Sequence, residues 1–205
     1  AVLFLQGGAS LQFAMIPMNL RRDGATADYV DTGSWASKAV KEAKVTGATN
    51  VAWSGKEENY TRIPTESDLK LTPGAEYLHI CSNETIGGIR WSWWPKADTL
   101  IADMSSEIMS RVIDVNKFGM IYAGAQKNLG PSGLALVIMR KDLIERTPDA
   151  TPIFLRYKTH ADEGSLYNTP NTWGIYILKL VTDWVDSLGG IAAVEKINEE
   201  KAGTI

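Results

Sequence analysis

The sequence contains one cysteine and two histidines among 205 residues. With Cys81 alone, an intramolecular disulfide framework and a multi-cysteine zinc or iron–sulfur site are both excluded. His79 and His160 lie far apart in sequence, so a histidine-rich metal centre has little to draw on and no metal is expected. Long apolar runs are missing too. The strongest, Gly133 to Met139, falls far short of the ~20 residues that a membrane-spanning helix needs. No secretory signal is visible. Charge is nearly balanced, with 21 basic and 24 acidic residues and a formal net charge of -3. No basic block stands out, so nucleic acid is not an expected partner. The expectation is a soluble cytoplasmic protein.

What is present is an ordinary globular composition, 44% hydrophobic and 22% charged. A chain of this length buries roughly 70% of the surface that its unfolded form exposes. It opens at Ala1 inside a strand-like run and closes at Ile205 inside a helical pattern. Domains seldom begin or end this way, so a piece of a longer polypeptide is expected.

Apolar periodicity alternates between strand-like and helix-like. Val2 to Gln6 reads as a strand, and Gly7-Gly8 breaks it. Ser10 to Leu20 reads as a helix whose later part Pro17 should make irregular. Asp28 to Val30 is a strand and Ser34 to Lys44 a helix, with Trp35, Ala39 and Val40 on one face. Asn50 to Trp53, Tyr77 to Cys81, Thr99 to Ala102, Met120 to Ala123 and Ala135 to Met139 are further strands. Residues Gly55 to Thr72 read as a long polar loop. Thr172 is the expected cap of a helix in which Trp173, Ile177, Leu180, Val181, Trp184 and Leu188 form an apolar stripe. Gly189-Gly190 should end it, and another helix follows from Ile191. This alternation implies an α/β fold with a mostly parallel sheet.

Three places could carry chemistry. Gly7-Gly8-Ala9-Ser10 joins a strand to a helix, and free N–H groups at such a helix start attract an anion. It carries neither the GxGxxG nor the GxxxxGK[ST] fingerprint, and a plain turn is the simpler alternative. Asp103 ends an apolar strand, where ligands of open α/β sheets bind; a helix-capping aspartate is the alternative. Lys127 follows another strand among small residues and can serve as an amine nucleophile; an ordinary solvated lysine is the alternative. Together they supply what pyridoxal phosphate requires: an anion site, a partner for its pyridinium nitrogen and an amine for its aldehyde.

Six segments resemble, in order, the phosphoserine aminotransferase family: Phe4-Leu5-Gln6-Gly7-Gly8-Ala9-Ser10-Leu11-Gln12-Phe13; Asp28-Tyr29-Val30-Asp31-Thr32-Gly33-Ser34-Trp35; Ser82-Asn83-Glu84-Thr85-Ile86; Ala102-Asp103-Met104-Ser105-Ser106; Ile121-Tyr122-Ala123-Gly124-Ala125-Gln126-Lys127-Asn128; and Leu166-Tyr167-Asn168-Thr169-Pro170. The resemblance implies a fold-type-I, class V pyridoxal phosphate enzyme. It implies that residues 1–205 belong to its large cofactor-binding domain, without the family's N-terminal segment and C-terminal small domain. It further implies transamination between L-glutamate and 3-phosphohydroxypyruvate, yielding 2-oxoglutarate and O-phospho-L-serine, in serine biosynthesis.

By the same resemblance, Lys127 matches the lysine that carries the cofactor and acts in catalysis. Asp103 matches the partner of the pyridinium nitrogen. Trp35 matches the aromatic stacked on the ring, and Thr85 the hydroxyl near its phenolic oxygen. Ala9, Ser10 and Gln126 match positions that hold the cofactor phosphate. Asn168 and Thr169 match a pair that reaches the phosphate of a neighbouring subunit, which implies a homodimer. The sequence departs from the family at several places. Ser10 stands where some relatives carry arginine, Val112 and Asn171 where proline is usual, and Trp173 where phenylalanine is usual. The segment Arg90 to Lys96, with Trp91, Trp93 and Trp94, matches poorly; as an exposed turn it would suit an interface. The alternatives are another class V aminotransferase, of alanine–glyoxylate type, and a non-catalytic cofactor-binding or dimerisation module.

Overall fold

The computed structural model describes residues 1–204. In chain order its elements are β1 (Val2–Leu5), α1 (Gly8–Leu20), β2 (Ala27–Asp31), α2 (Ser34–Thr46), β3 (Thr49–Ser54), β4 (Leu78–Cys81), β5 (Asn83–Glu84), β6 (Ile89–Arg90), β7 (Leu100–Asp103), β8 (Met120–Gly124), β9 (Ala135–Met139), α3 (Lys141–Ile144), α4 (Tyr157–Asp162), α5 (Thr172–Ser187) and α6 (Ile191–Ala202). Seven strands form one sheet in the order β1-β9-β8-β7-β4-β2-β3. Strands β3, β2, β4, β7 and β8 run parallel, while β9 is antiparallel to both β8 and β1. The mostly parallel α/β sheet expected from the alternation is therefore present.

A strand buried on both faces needs a near-continuous apolar run rather than strict alternation. Strands β4, β7 and β8 meet that demand, and every residue in them is buried. Successive side chains point to opposite faces. Tyr29, Ile101 and Tyr122 join the layer that packs on α1 and α2. Val30, Ala102 and Ile121 join the layer beneath the loops on the other side. The links from β3 to β4, β4 to β7 and β7 to β8 contain no α-helix; turns, short 3-10 segments and the β5–β6 hairpin serve instead.

Three local expectations differ from what forms. Helix α1 runs unbroken to Leu20 despite Pro17. Its flank of Met15, Ile16 and Leu20 is buried in the core, and Asn19 Nδ2 donates to the Met15 carbonyl at 2.8 Å. Packing thus offsets the single N–H that proline removes. Thr172 is not the cap of α5. Asn171 is, its Oδ1 accepting from Gly174 N–H at 2.9 Å. Nor is the Trp-rich segment an exposed turn. Trp91 is fully buried, Trp93 and Trp94 pack on the same cluster, and Trp94 meets Phe118 edge-on.

The apolar stripe of α5 packs only in part, through Ile177 and Val181 against Gly130. Gly174, Leu178 and Val185 are its buried residues, whereas Trp173 is 69% and Trp184 59% exposed. Leu178 packs with Ala123, Ala125, Leu129 and Leu134, so the loop after β8 decides which side of α5 turns inward. Gly189 and Gly190 end α5 with left-handed backbone, as expected.

Candidate active site

All the parallel strands, and β1 with them, end at one edge of the sheet. Five of them, β1, β2, β4, β7 and β8, contribute residues at or just beyond that end: Gly7 and Gly8 after β1, Trp35 beyond β2, Asn83 to Thr85 beyond β4, Asp103 and Ser105 at β7, and Gln126 and Lys127 beyond β8. Edges of this kind bind ligands because strand ends leave a crevice that helix N-termini border. Here the crevice is a cavity of about 290 Å³. Ala9, Ser10, Trp35, Asp103, Gln126 and Lys127 all line it. The structure thus gathers six of the sequence-derived residues from four separate stretches of chain.

The turn into α1 requires glycine. Gly7 and Gly8 have φ values of 82° and 61°, a left-handed region that costs other residues energy. The N-terminus of α1 carries no side-chain cap and no acidic residue in its first turn. Its N–H groups and positive dipole end are left to an anion. Gly124 allows a second close approach. A Cβ there would lie 2.6 Å from Gln126 Oε1 and 3.3 Å from the Ala9 nitrogen. Glycine at this position lets the Gln126 side chain and the start of α1 share one corner of the cavity.

Lys127 Nζ donates to Thr85 Oγ1 at 2.7 Å. It also lies 4.9 Å from the centre of the Trp35 ring. Trp35 Nε1 donates to the same Thr85 hydroxyl at 3.2 Å. One threonine therefore ties the lysine to the indole, although Thr85 is exposed and does not line the cavity. Asp103 is buried at the end of β7. Its Oδ1 accepts from the Ser105 N–H at 2.9 Å and from Ser105 Oγ at 2.6 Å. Burial raises the Asp103 carboxyl pKa, and the Ser105 hydrogen bonds and the Lys127 charge offset that rise only in part.

Asn168 and Thr169 are not brought into the cavity. Asn168 is half-buried and Thr169 exposed, and Gln6 Nε2 donates to the Thr169 carbonyl at 3.2 Å. Several residues escaped the sequence reading. Ser105, Asn83 and Cys81 line the cavity, as do Ser132 and Gly133. Glu84 is buried and holds the start of α2, accepting from Trp35 N–H at 3.1 Å and Ala36 N–H at 2.8 Å. No local spacing announces that contact, because it joins residues almost fifty positions apart. Ser105 was nearer to legible, since a hydroxyl two residues after a strand-end aspartate can fold back on it.

The donor set fits pyridoxal phosphate. An uncapped helix start suits a dianionic phosphate. A buried carboxylate with one oxygen left over suits a protonated ring nitrogen, the indole offers a flat apolar face, and the lysine supplies an amine.

The family model for class-V aminotransferases matches residues 1–205. The chain belongs to the class-V aminotransferase family. It is 54% identical to the phosphoserine aminotransferase of Geobacillus kaustophilus (strain HTA426), over 100% of this chain and 57% of that protein. The solved phosphoserine aminotransferase from Bacillus circulans subsp. alkalophilus superposes with a TM-score of 0.95 at 52% identity, over 98% of this chain and 56% of that one. A PLP-bound phosphoserine aminotransferase from Trichomonas vaginalis superposes with a TM-score of 0.92 at 38% identity, over 99% of this chain and 58% of that one. This chain therefore spans little more than half the length of these relatives. Among the described residues, no helix is long and apolar enough to cross a membrane.

Proposed function

We propose that residues 1–205 form the large, cofactor-binding domain of a pyridoxal phosphate-dependent aminotransferase. Its reaction moves the amino group of L-glutamate to 3-phosphohydroxypyruvate, leaving 2-oxoglutarate and O-phospho-L-serine. The observation that carries this reading is the convergence of the Lys127 amine, the Asp103 carboxylate and the free start of α1 on one cavity. Identity of 52% and 54% to phosphoserine aminotransferases supports the choice of substrates.

Pyridoxal phosphate, when bound, supplies an aldehyde that takes up amines and a ring that accepts electrons from the substrate's Cα. Ala9 and Ser10, through backbone N–H groups at the start of α1, and Gln126 hold its phosphate. Asp103 keeps a proton on the ring nitrogen. Trp35 would shield the ring from water, and the Thr85 hydroxyl would serve its phenolic oxygen. Lys127 Nζ is the point of attachment. As a free amine, Nζ would be the general base that removes the proton at the substrate's Cα. The Thr85 hydroxyl, 2.7 Å away, orients it.

Asn168 and Thr169, which lie outside the chain's own cavity, serve the phosphate of a second subunit in a homodimer. The protein works in the cytoplasm, in serine biosynthesis.

Borohydride reduction of the native protein followed by peptide mass spectrometry tests the assignment. A pyridoxyl-phosphate adduct on Lys127 is the expected result. An unmodified Lys127 after incubation with excess cofactor sinks it. Turnover with 3-phosphohydroxypyruvate well above that with glyoxylate is expected, and the reverse preference would move the reading to an alanine–glyoxylate type of enzyme.

A further inference from the structure

Ser105 makes three polar contacts at the head of β7 and β8. Its N–H and its hydroxyl both donate to Asp103 Oδ1, and its Oγ accepts the Gly124 N–H at 2.9 Å. One hydroxyl therefore joins the end of β7, where Asp103 sits, to the last residue of β8, three positions before Lys127. The Ser82 hydroxyl donates to the Asp103 carbonyl at 3.0 Å and steadies the backbone from the β4 side. All these contacts are buried. Asp103 Oδ2 accepts no hydrogen bond from the described residues and is not sealed inside the protein.

We propose that Ser105 is the positioning residue for Asp103: it pins Oδ1, so that Oδ2 alone faces the cavity, and it locks the aspartate-bearing strand end to the lysine-bearing one. Two donors on Oδ1 fix the rotation of the carboxylate about its Cβ–Cγ bond. A hydroxyl is suited to this task because it donates and accepts at once. Alanine at 105 would keep the backbone donor but free the carboxylate to turn, and would leave the Gly124 N–H buried without an acceptor. Hydrogen bonds to an ionised carboxylate favour its charged form. Ser105 thus opposes the effect of burial and keeps Asp103 able to pair with a cation.

This inference rests on the proposed pairing of Asp103 with a ring nitrogen, and the experiment separates the two. In the full-length, cofactor-free protein, the Asp103 carboxyl is titrated by carbon-13 NMR, with Asp103→Asn providing the assignment. Ser105→Ala is expected to raise the midpoint by ~1 pH unit, a tenfold change in the ionisation constant, while Ser105→Thr keeps it near the wild-type value. Should Ser105→Ala not fold, Ser105→Cys replaces it, its weaker donor giving a smaller shift in the same direction. Equal midpoints in wild type and in the variant that lacks the hydroxyl overturn the proposal. So does a threonine variant that behaves like alanine.

The loaded protein then provides the second readout, the pH dependence of the cofactor's visible absorbance. A change that parallels the NMR shift supports both readings. An NMR shift with unchanged absorbance keeps the role of Ser105 and removes the pairing of Asp103 with the ring.

Discussion

Lys127 shows how much one residue can reveal and how much it conceals. Its small neighbours mark it as unusual in the sequence, but the Thr85 hydroxyl that orients it comes from another strand end, 42 positions away. Lys127→Ala should lower steady-state turnover by ~1000-fold or more, since the proposed attachment point and general base vanish together. A coupled assay for 2-oxoglutarate measures it; a variant near wild-type turnover would refute the role.

In the sequence, His79 is only a poor metal candidate. In the fold it is fully buried, stacked on Tyr29 with ring centres 4.8 Å apart and hydrogen-bonded through Nε2 to the Tyr122 hydroxyl at 2.8 Å. Burial pushes its pKa down to about 3. The folded state therefore keeps His79 neutral, while the unfolded state takes up a proton below its ordinary value of about 6.5. The stability that this represents is complete above pH 6.5 and is lost as pH falls toward 3. Between pH 6 and 5 the loss should approach ~1.4 kcal/mol per pH unit. Urea unfolding at several pH values gives that slope, and His79→Gln should flatten it; equal slopes in the two proteins would show that His79 titrates freely when folded.

At the scale of elements, α2 illustrates why spacing was sufficient for the helix but not for its anchor. The alternation of Ala36, Ala39, Val40 and Ala43 with lysines marks an amphipathic helix directly. Its N-terminus has no capping side chain of its own, and Glu84 supplies the missing acceptor from the β5–β6 hairpin. Glu84→Ala would leave the buried Ala36 N–H and the half-buried Trp35 N–H without their acceptor. A loss of about 2–3 kcal/mol in unfolding free energy is expected, with weaker cofactor binding because Trp35 begins the same helix. Denaturant titration and a cofactor-binding titration would record both effects, and an unchanged unfolding midpoint would contradict the cap. Helix α5 offers the reverse lesson. Its apolar period was evident, yet the side that packs was not, because periodicity marks a stripe without saying which neighbour will meet it.

For the whole molecule, the open question is what completes the cavity. Asn168 and Thr169 lie outside it, which suits residues that act on a second subunit's site. Mixing Lys127→Ala subunits with subunits carrying Asn168→Ala and Thr169→Ala tests this. Each variant alone should be weak. Dimers that exchange subunits should regain about a quarter of wild-type activity, since half the dimers are mixed and each holds one intact site. No recovery above the parent mixtures would confine both residues to their own subunit.

The sequence alone determined the strand and helix alternation, the glycine turn before α1 and the chemical identity of the aspartate and the lysine. Periodicity, backbone freedom and ionisable groups are properties that a residue carries with it. The common edge of the sheet, the partners Thr85, Ser105 and Glu84, the buried tryptophans and the side of α5 that turns inward were decided only by tertiary structure. Those features depend on which strands become neighbours, and that pairing joins positions tens of residues apart through contacts that no local pattern encodes.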